Sequence, residues 1–134
     1  MTVGLIDTNI VIHWPELDLA DLPPELAVSA VTLAELSFGV HTAPDAATRE
    51  ERLELLVRAE TTIECAPFDS RAARVYGVIA ATIASLGRSP RARVADQMIA
   101  ATTAAHGWPL YTTNPGDFAG LERILTVVPV RRPQ

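Results

Sequence analysis

The chain predicts an α/β fold, a three-layer α/β/α sandwich around a mostly parallel sheet of about five strands. Three observations carry that prediction. Short apolar runs of strand length alternate with longer stretches of helical period, the pattern of right-handed crossovers between parallel strands. Caps and breakers punctuate the junctions. The 134 residues are 49% hydrophobic and 20% charged, enough to bury one core and too apolar for disorder, so residues 1–134 are expected to form a single domain.

Residues 3–6 make the first strand, which ends at Asp7, and residues 9–14 then turn helical until Pro15 stops them. Acids, leucines and prolines mix over residues 17–24, which read as loop. Residues 26–29 form a second strand and 31–40 a helix, with Thr32 and Glu35 spaced as a T-x-x-E capping box. Asp45 caps a long helix reaching Glu60, with Leu53, Leu56 and Val57 expected inward and Glu54 four residues before Arg58 outside. Residues 62–66 alternate as a third strand. Asp69 caps the next helix, whose stripe of Ala72, Tyr76, Ile79, Ile83 and Leu86 recurs at helical spacing as far as Gly87. A polar loop bearing Arg88, Arg91 and Arg93 leads into an alanine-rich helix over 94–106, which Gly107 closes. A strand at 110–113, a turn at Asn114-Pro115-Gly116, a short helical piece capped by Asp117 and a last strand over 125–130 complete the chain. Ligands of such sheets sit beyond the carboxyl ends of the strands, where Asp7 and residues 114–117 fall.

Composition removes several chemistries. All eleven basic residues are Arg, so a P-loop NTPase and a Schiff-base enzyme have no lysine to use, and receiver domains and haloacid-dehalogenase-type phosphatases lose theirs as well. Cys65 stands alone, which rules out an internal disulfide and suggests a small buried hydrophobe. His13, His41 and His106 are scattered, and neither a G-x-S-x-G nor a G-x-G-x-x-G occurs. No apolar stretch approaches the roughly 20 residues of a spanning helix, and Thr2, Gly4 and Asp7 interrupt any leader-like start. A cytoplasmic protein without membrane contact is expected.

The acids are what remain. Asp7 at a strand end suits a helix cap, Glu35 suits the capping box, and Asp117 suits a turn. Asp96 is harder to explain structurally, because it shares one helical face with Ile99, Ala100 and Thr103, and a carboxylate on such a face needs a partner. Two acids thus lie at strand ends and two on segments packing over those ends. Gathered there, each pair 4 Å apart repels by about 4 kcal/mol at an effective dielectric of 20. An Arg among them would be a purely structural answer. A hard divalent ion such as Mg²⁺ or Mn²⁺ prefers such oxygens, keeps waters, and both acidifies those waters and neutralises phosphate charge. Phosphodiester hydrolysis fits that chemistry best.

Four segments in order carry a resemblance. Leu5-Ile6-Asp7-Thr8-Asn9, Ser29 with Thr32-Leu33-Ala34-Glu35-Leu36, Asp96-Gln97-Met98-Ile99-Ala100-Ala101 and Thr112-Thr113-Asn114-Pro115-Gly116-Asp117-Phe118 resemble the motifs of PIN-domain ribonucleases, specifically VapC-type toxins of bacterial toxin-antitoxin modules, along essentially the whole chain. The resemblance implies a PIN-like fold and an acidic metal site of Asp7, Glu35, Asp96 and Asp117, with Asp7 and Asp96 as direct ligands and Thr8, Asn9, Thr113 and Asn114 supporting them. Some family members have an acid where Asn114 stands, which leaves the number of metals open. It further implies water attack on RNA that leaves 5′-phosphate and 3′-hydroxyl ends, a VapB-type antitoxin partner and a homodimer.

The net charge of −5 argues against general nucleic-acid affinity, which comes from neutralising phosphates. Arg88, Arg91 and Arg93 lead directly into the Asp96 helix and are the candidates to guide RNA phosphates. Two other functions share these residues. One is a non-catalytic interaction module whose acids bind an Arg-bearing peptide, and the other is a metal-dependent phosphatase on small substrates.

Overall fold

The computed structural model describes residues 2–132, so both ends of the expected 1–134 domain lie outside the described residues. Strands β1 (Val3–Ile6), β2 (Glu25–Ser29), β3 (Glu64–Ala66), β4 (Leu110–Thr112) and β5 (Val127–Pro129) form one parallel sheet in the order β3-β2-β1-β4-β5. Helices α1 (Thr8–Ile12), α2 (Ala30–His41), α3 (Ala46–Thr62), α4 (Ser70–Ser85) and α5 (Val94–His106) cover its faces. The chain steps outward from β1 through β2 to β3, then returns to lay β4 on the other side of β1. Strand order reverses between β1 and β4, and the loops leaving their carboxyl ends diverge there to open a crevice.

Period-two alternation sends neighbours along a strand to opposite faces. Leu5 joins Ile79, Ile83, Ile99, Leu110 and Leu121 beneath α4 and α5, while Ile6 joins Ile10, Val28, Leu36 and Ala59 beneath α1, α2 and α3. The expected three layers follow from that division. Leu5 and Ile6 are both wholly buried, so the central strand is sealed on both sides up to the residue that leaves it, Asp7. Close packing at Gly4 helps hold the strand, since a side chain there would meet the Pro23 and Tyr111 rings. No helix among the described residues is long and apolar enough to cross a membrane.

Several boundaries differ from expectation for local reasons. Helix α1 stops at Ile12, and Pro15 lies in the first positions of a 3₁₀ turn (Trp14–Glu16), where its missing N–H has no partner to lose. The stretch read as loop contains a second such turn (Leu19–Asp21), capped by Asp18. Helix α2 is capped by Ser29, whose hydroxyl accepts from the Val31 amide at 3.0 Å, so Thr32 and Glu35 lie inside the helix and form no capping box. On α3 the inward residues are Leu55, Leu56 and Ala59, whereas Leu53 and Val57 are each 46% exposed. The fully packed Ala59 sets the phase of that helix. Back-bonding of the Thr61 and Thr62 hydroxyls to the Val57 and Arg58 carbonyls carries α3 through Thr62, so β3 begins only at Glu64. Cys65 sits exposed on this edge strand and is not a core residue. Leu86 caps α4 and is half exposed. The Leu125 amide bonds back to the Leu121 carbonyl at 2.9 Å, which keeps Leu125 in a turn and starts β5 at Val127. At the end of α5, Gly107 adopts φ 70° and donates to the Ala104 carbonyl at 3.0 Å, the left-handed closure expected of it.

Candidate functional site

Asp7 is the first residue beyond β1. Its extended backbone caps α1, with Oδ1 accepting from the Thr8 amide at 2.8 Å. Oδ2 accepts from Thr112 Oγ1 at 2.9 Å and from Asn9 Nδ2 at 3.2 Å. The capping and site positions therefore coincide in one residue that is 3% exposed. Burial pushes its carboxyl above the ordinary aspartate range, against the pull of the Thr112 and Thr8 bonds, and the charges of Glu35 and Asp117 push it further.

Glu35 reaches the same edge from α2. Its Oε1 accepts from Thr8 Oγ1 at 2.6 Å, and that hydroxyl lies 2.9 Å from Thr32 Oγ1. Thr8 has one proton and gives it to the glutamate, so Thr32 donates to Thr8. Asp96 stands in the first turn of α5 and Asp117 in a 3₁₀ turn (Pro115–Phe118) after β4, the side chain of each 25% exposed. Asn114, rather than Asp117, occupies the cap of that turn, which leaves the Asp117 carboxylate to face the cleft. Burial raises the Asp96 carboxyl, Asp7 and Asp117 add to the rise, and Arg93 opposes it.

Four carboxylates from four elements thus gather at Asp7, which feels the charges of Glu35 and Asp117 and acts on Asp96; Asp96 and Asp117 line one cleft, and Glu35 lines a neighbouring one with Thr8. Arg93 lies among them, its Nη1 3.0 Å from Asp117 Oδ2 and 3.6 Å from Asp96 Oδ2. Among the described residues, no three Asp, Glu, His or Cys side chains close tightly enough to hold an ion between them. The donor set nevertheless fits a hard, water-rich cation. Its oxygens are all carboxylate or hydroxyl, and Mg²⁺ characteristically takes only one or two carboxylates and keeps waters.

The supporting residues are arranged differently from the motif reading. Thr8 and Asn9 bond the acids through their side chains, and Asn9 Oδ1 also accepts from the Thr113 amide at 3.2 Å. Asn114 enters through its main-chain amide, which donates to Thr112 Oγ1 at 3.1 Å. The side chain that fixes Asp7 is that of Thr112, wholly buried at the end of β4. Sequence reasoning assigned no role to Thr112 or Gln97 and read Thr32 only as a helix cap. Strand alternation from the buried Leu110 points inward at residue 112, not 113, and could have found the first. Of the three candidate arginines, Arg88 donates to the Ala119 carbonyl and Arg93 pairs with the acids. Both line a cleft of about 280 Å³ together with Asp96, Gln97 and Asp117, whereas Arg91 stands outside its lining.

The fold and this acidic crevice have recognisable counterparts. A family model described as the PIN domain matches residues 5–123. The chain is 35% identical over 131 residues to Ribonuclease VapC5 of Mycobacterium tuberculosis, covering 96% of this chain and 94% of that one. It is 33% identical over 101 residues to Ribonuclease VapC8 of the same species, covering 75% and 89%. The crystal structure of VapBC-5, a member of the VapBC family of toxin-antitoxin systems from M. tuberculosis, superposes with a TM-score of 0.83 over 98% of this chain and 99% of that one, at 35% identity. The chain belongs to the PIN-domain family, within its VapC-type ribonucleases.

Proposed function

We propose that this chain is a metal-dependent endoribonuclease, the toxin of a VapBC-type pair, and that Asp7, Glu35, Asp96 and Asp117 form its active site. The convergence of these four carboxylates at the β1/β4 switch point, in a chain of this family, is the observation that supports the reading. Mg²⁺ or Mn²⁺ bound there supplies positive charge that acidifies water and offsets charge on the phosphate. Asp7 and Asp96 are the residues that would hold it directly. The Thr8 amide, Asn9 and Thr112 fix the Asp7 carboxylate in one orientation. Thr8 engages Glu35 Oε1, leaving Oε2 to accept a proton from the attacking water. Asp117 and Asp96 border the cleft that receives the RNA backbone, with Arg88 and Arg93 on its lining guiding phosphates into it.

A VapB-type antitoxin is the partner, in keeping with the toxin-antitoxin assembly of the VapBC-5 relative, and a homodimer is the expected state of the toxin. The test uses partner-free protein on RNA with Mg²⁺, with Mn²⁺ and with chelator. Cleavage with either ion, abolished by chelator and leaving 5′-phosphate ends, is expected. Cleavage that persists in chelator, or ends bearing a 2′,3′-cyclic phosphate, overturns the reading.

A further inference from the structure

Arg93 is the single non-glycine residue at positive φ among the described residues, at φ 57° and ψ 44°. That backbone costs a side-chain-bearing residue of the order of 1 kcal/mol or more, and it persists only where surrounding contacts impose it. The residue also occupies the cap position of α5 yet makes no side-chain capping bond. The strain serves a different contact, because this conformation turns the guanidinium back onto Asp117 at 3.0 Å and Asp96 at 3.6 Å.

Gln97 imposes the geometry. It is 4% exposed, and its Nε2 donates to the Pro90 carbonyl at 2.9 Å and the Ala92 carbonyl at 2.8 Å. Both partners are acceptors, so the amide has one possible orientation and its Oε1 is left buried without a partner. A buried amide that leaves its own oxygen unsatisfied in order to hold two loop carbonyls is costly. It anchors the three-residue approach to Arg93 directly on the helix that carries Asp96.

We propose that Arg93 is a built-in counter-ion of the acidic centre, holding Asp96 and Asp117 when no divalent ion is bound and giving them up when one binds, with Gln97 as the positioning residue that aims it. The inference rests on the metal-site reading above. The Arg93 side chain is 62% exposed, so release into the mouth of the cleft meets no packing, and the freed charge then lies where an RNA phosphate arrives.

Calorimetric Mn²⁺ binding separates the possibilities. Each exposed ion pair is worth a few tenths to about 1 kcal/mol, so Arg93→Gln is expected to bind Mn²⁺ about 3- to 10-fold more tightly than wild type while its RNA affinity falls. Arg93→Lys should lie between the two, and Gln97→Leu should tighten Mn²⁺ binding as Arg93→Gln does. In the wild-type protein, the Arg93 Nε–H resonance, assigned by its absence from Arg93→Lys, should shift on Mg²⁺ addition with the midpoint of metal binding. Unchanged or weaker Mn²⁺ binding in Arg93→Gln, or a stationary resonance, overturns the counter-ion role while the metal site stands. Absence of Mn²⁺ binding in every protein, wild type included, overturns the metal-site reading itself.

Discussion

Asp7 performs two tasks with one carboxylate. One oxygen caps α1 and the other accepts from Thr112 and Asn9, so the group that closes the helix is also aimed into the crevice. Its ionised form is held in a buried site beside other acids. Asp7→Asn removes the charge but sets an amide donor against the Thr8, Asn9 and Thr112 donors, so relief of the buried charge is offset by about 1–2 kcal/mol of lost hydrogen bonding, and the melting temperature should change by only a few degrees while RNA cleavage falls at least about 100-fold. Cleavage near the wild-type rate would show that the Asp7 charge serves the fold alone. Thr112→Val removes the bond that orients Asp7 and leaves an acceptor short of a partner, at a cost of about 1–2 kcal/mol, with cleavage reduced and read at constant RNA. Of the four acids only Asp96 resisted a structural role in the sequence, being a carboxylate on a small-residue helix face; Asp7, Glu35 and Asp117 each suited a cap or turn, and it was their joint placement at strand ends and the motif resemblance that singled out the set. Thr112 was not legible, because two adjacent threonines present the same chemistry and only the strand's pleat decides which one points inward. Arg93 was legible as a charge near the site but not as a contact of it, since a left-handed Arg has no sequence signature.

At the scale of elements, the caps tell why most boundaries could be read. Asp45 accepts from the Thr48 amide at 2.7 Å and Asp69 from the Ala72 amide at 3.0 Å, the pairing that Asp before a helix announces. Asp45→Ala should cost about 1 kcal/mol and lower the melting temperature by a few degrees without touching cleavage, as thermal unfolding and an RNA assay together would show. The failures have an equally local origin. Along α3 four apolar residues, Leu53, Leu55, Leu56 and Val57, compete to face inward, and the small Ala59 that decides among them gives almost no hydropathy signal. Ser29 displaces the apparent capping box because it lies at the true end of β2. That shift frees Thr32 and Glu35 for the Thr32–Thr8–Glu35 chain, which links two helices distant in sequence and so has no local trace.

For the molecule as a whole, alternation of strands and helices announced a parallel sheet, yet the order that places β4 beside β1 depends on pairings such as Leu5 with Leu110, which one sequence does not display. That adjacency makes the site by bringing Thr112 and Asp117 to Asp7. It also sets the response to pH. Asp7 and Asp96 are raised in the folded chain, so the unfolded chain releases their protons at lower pH than the folded one. Between the ordinary and raised values the native state holds more protons, and this contribution to stability falls as pH rises, with the full penalty present above the window. A bound divalent ion offsets that penalty only where the aspartates are ionised. The rise in melting temperature on adding Mn²⁺ should therefore be larger at about pH 7 than at about pH 4, and an equal rise at both would place the ion elsewhere. The most direct measurement of all is anomalous scattering from crystals soaked in Mn²⁺. A manganese peak in contact with the Asp7 and Asp96 carboxylates is expected, and a peak bound only away from those two side chains, or none, would overturn the metal site.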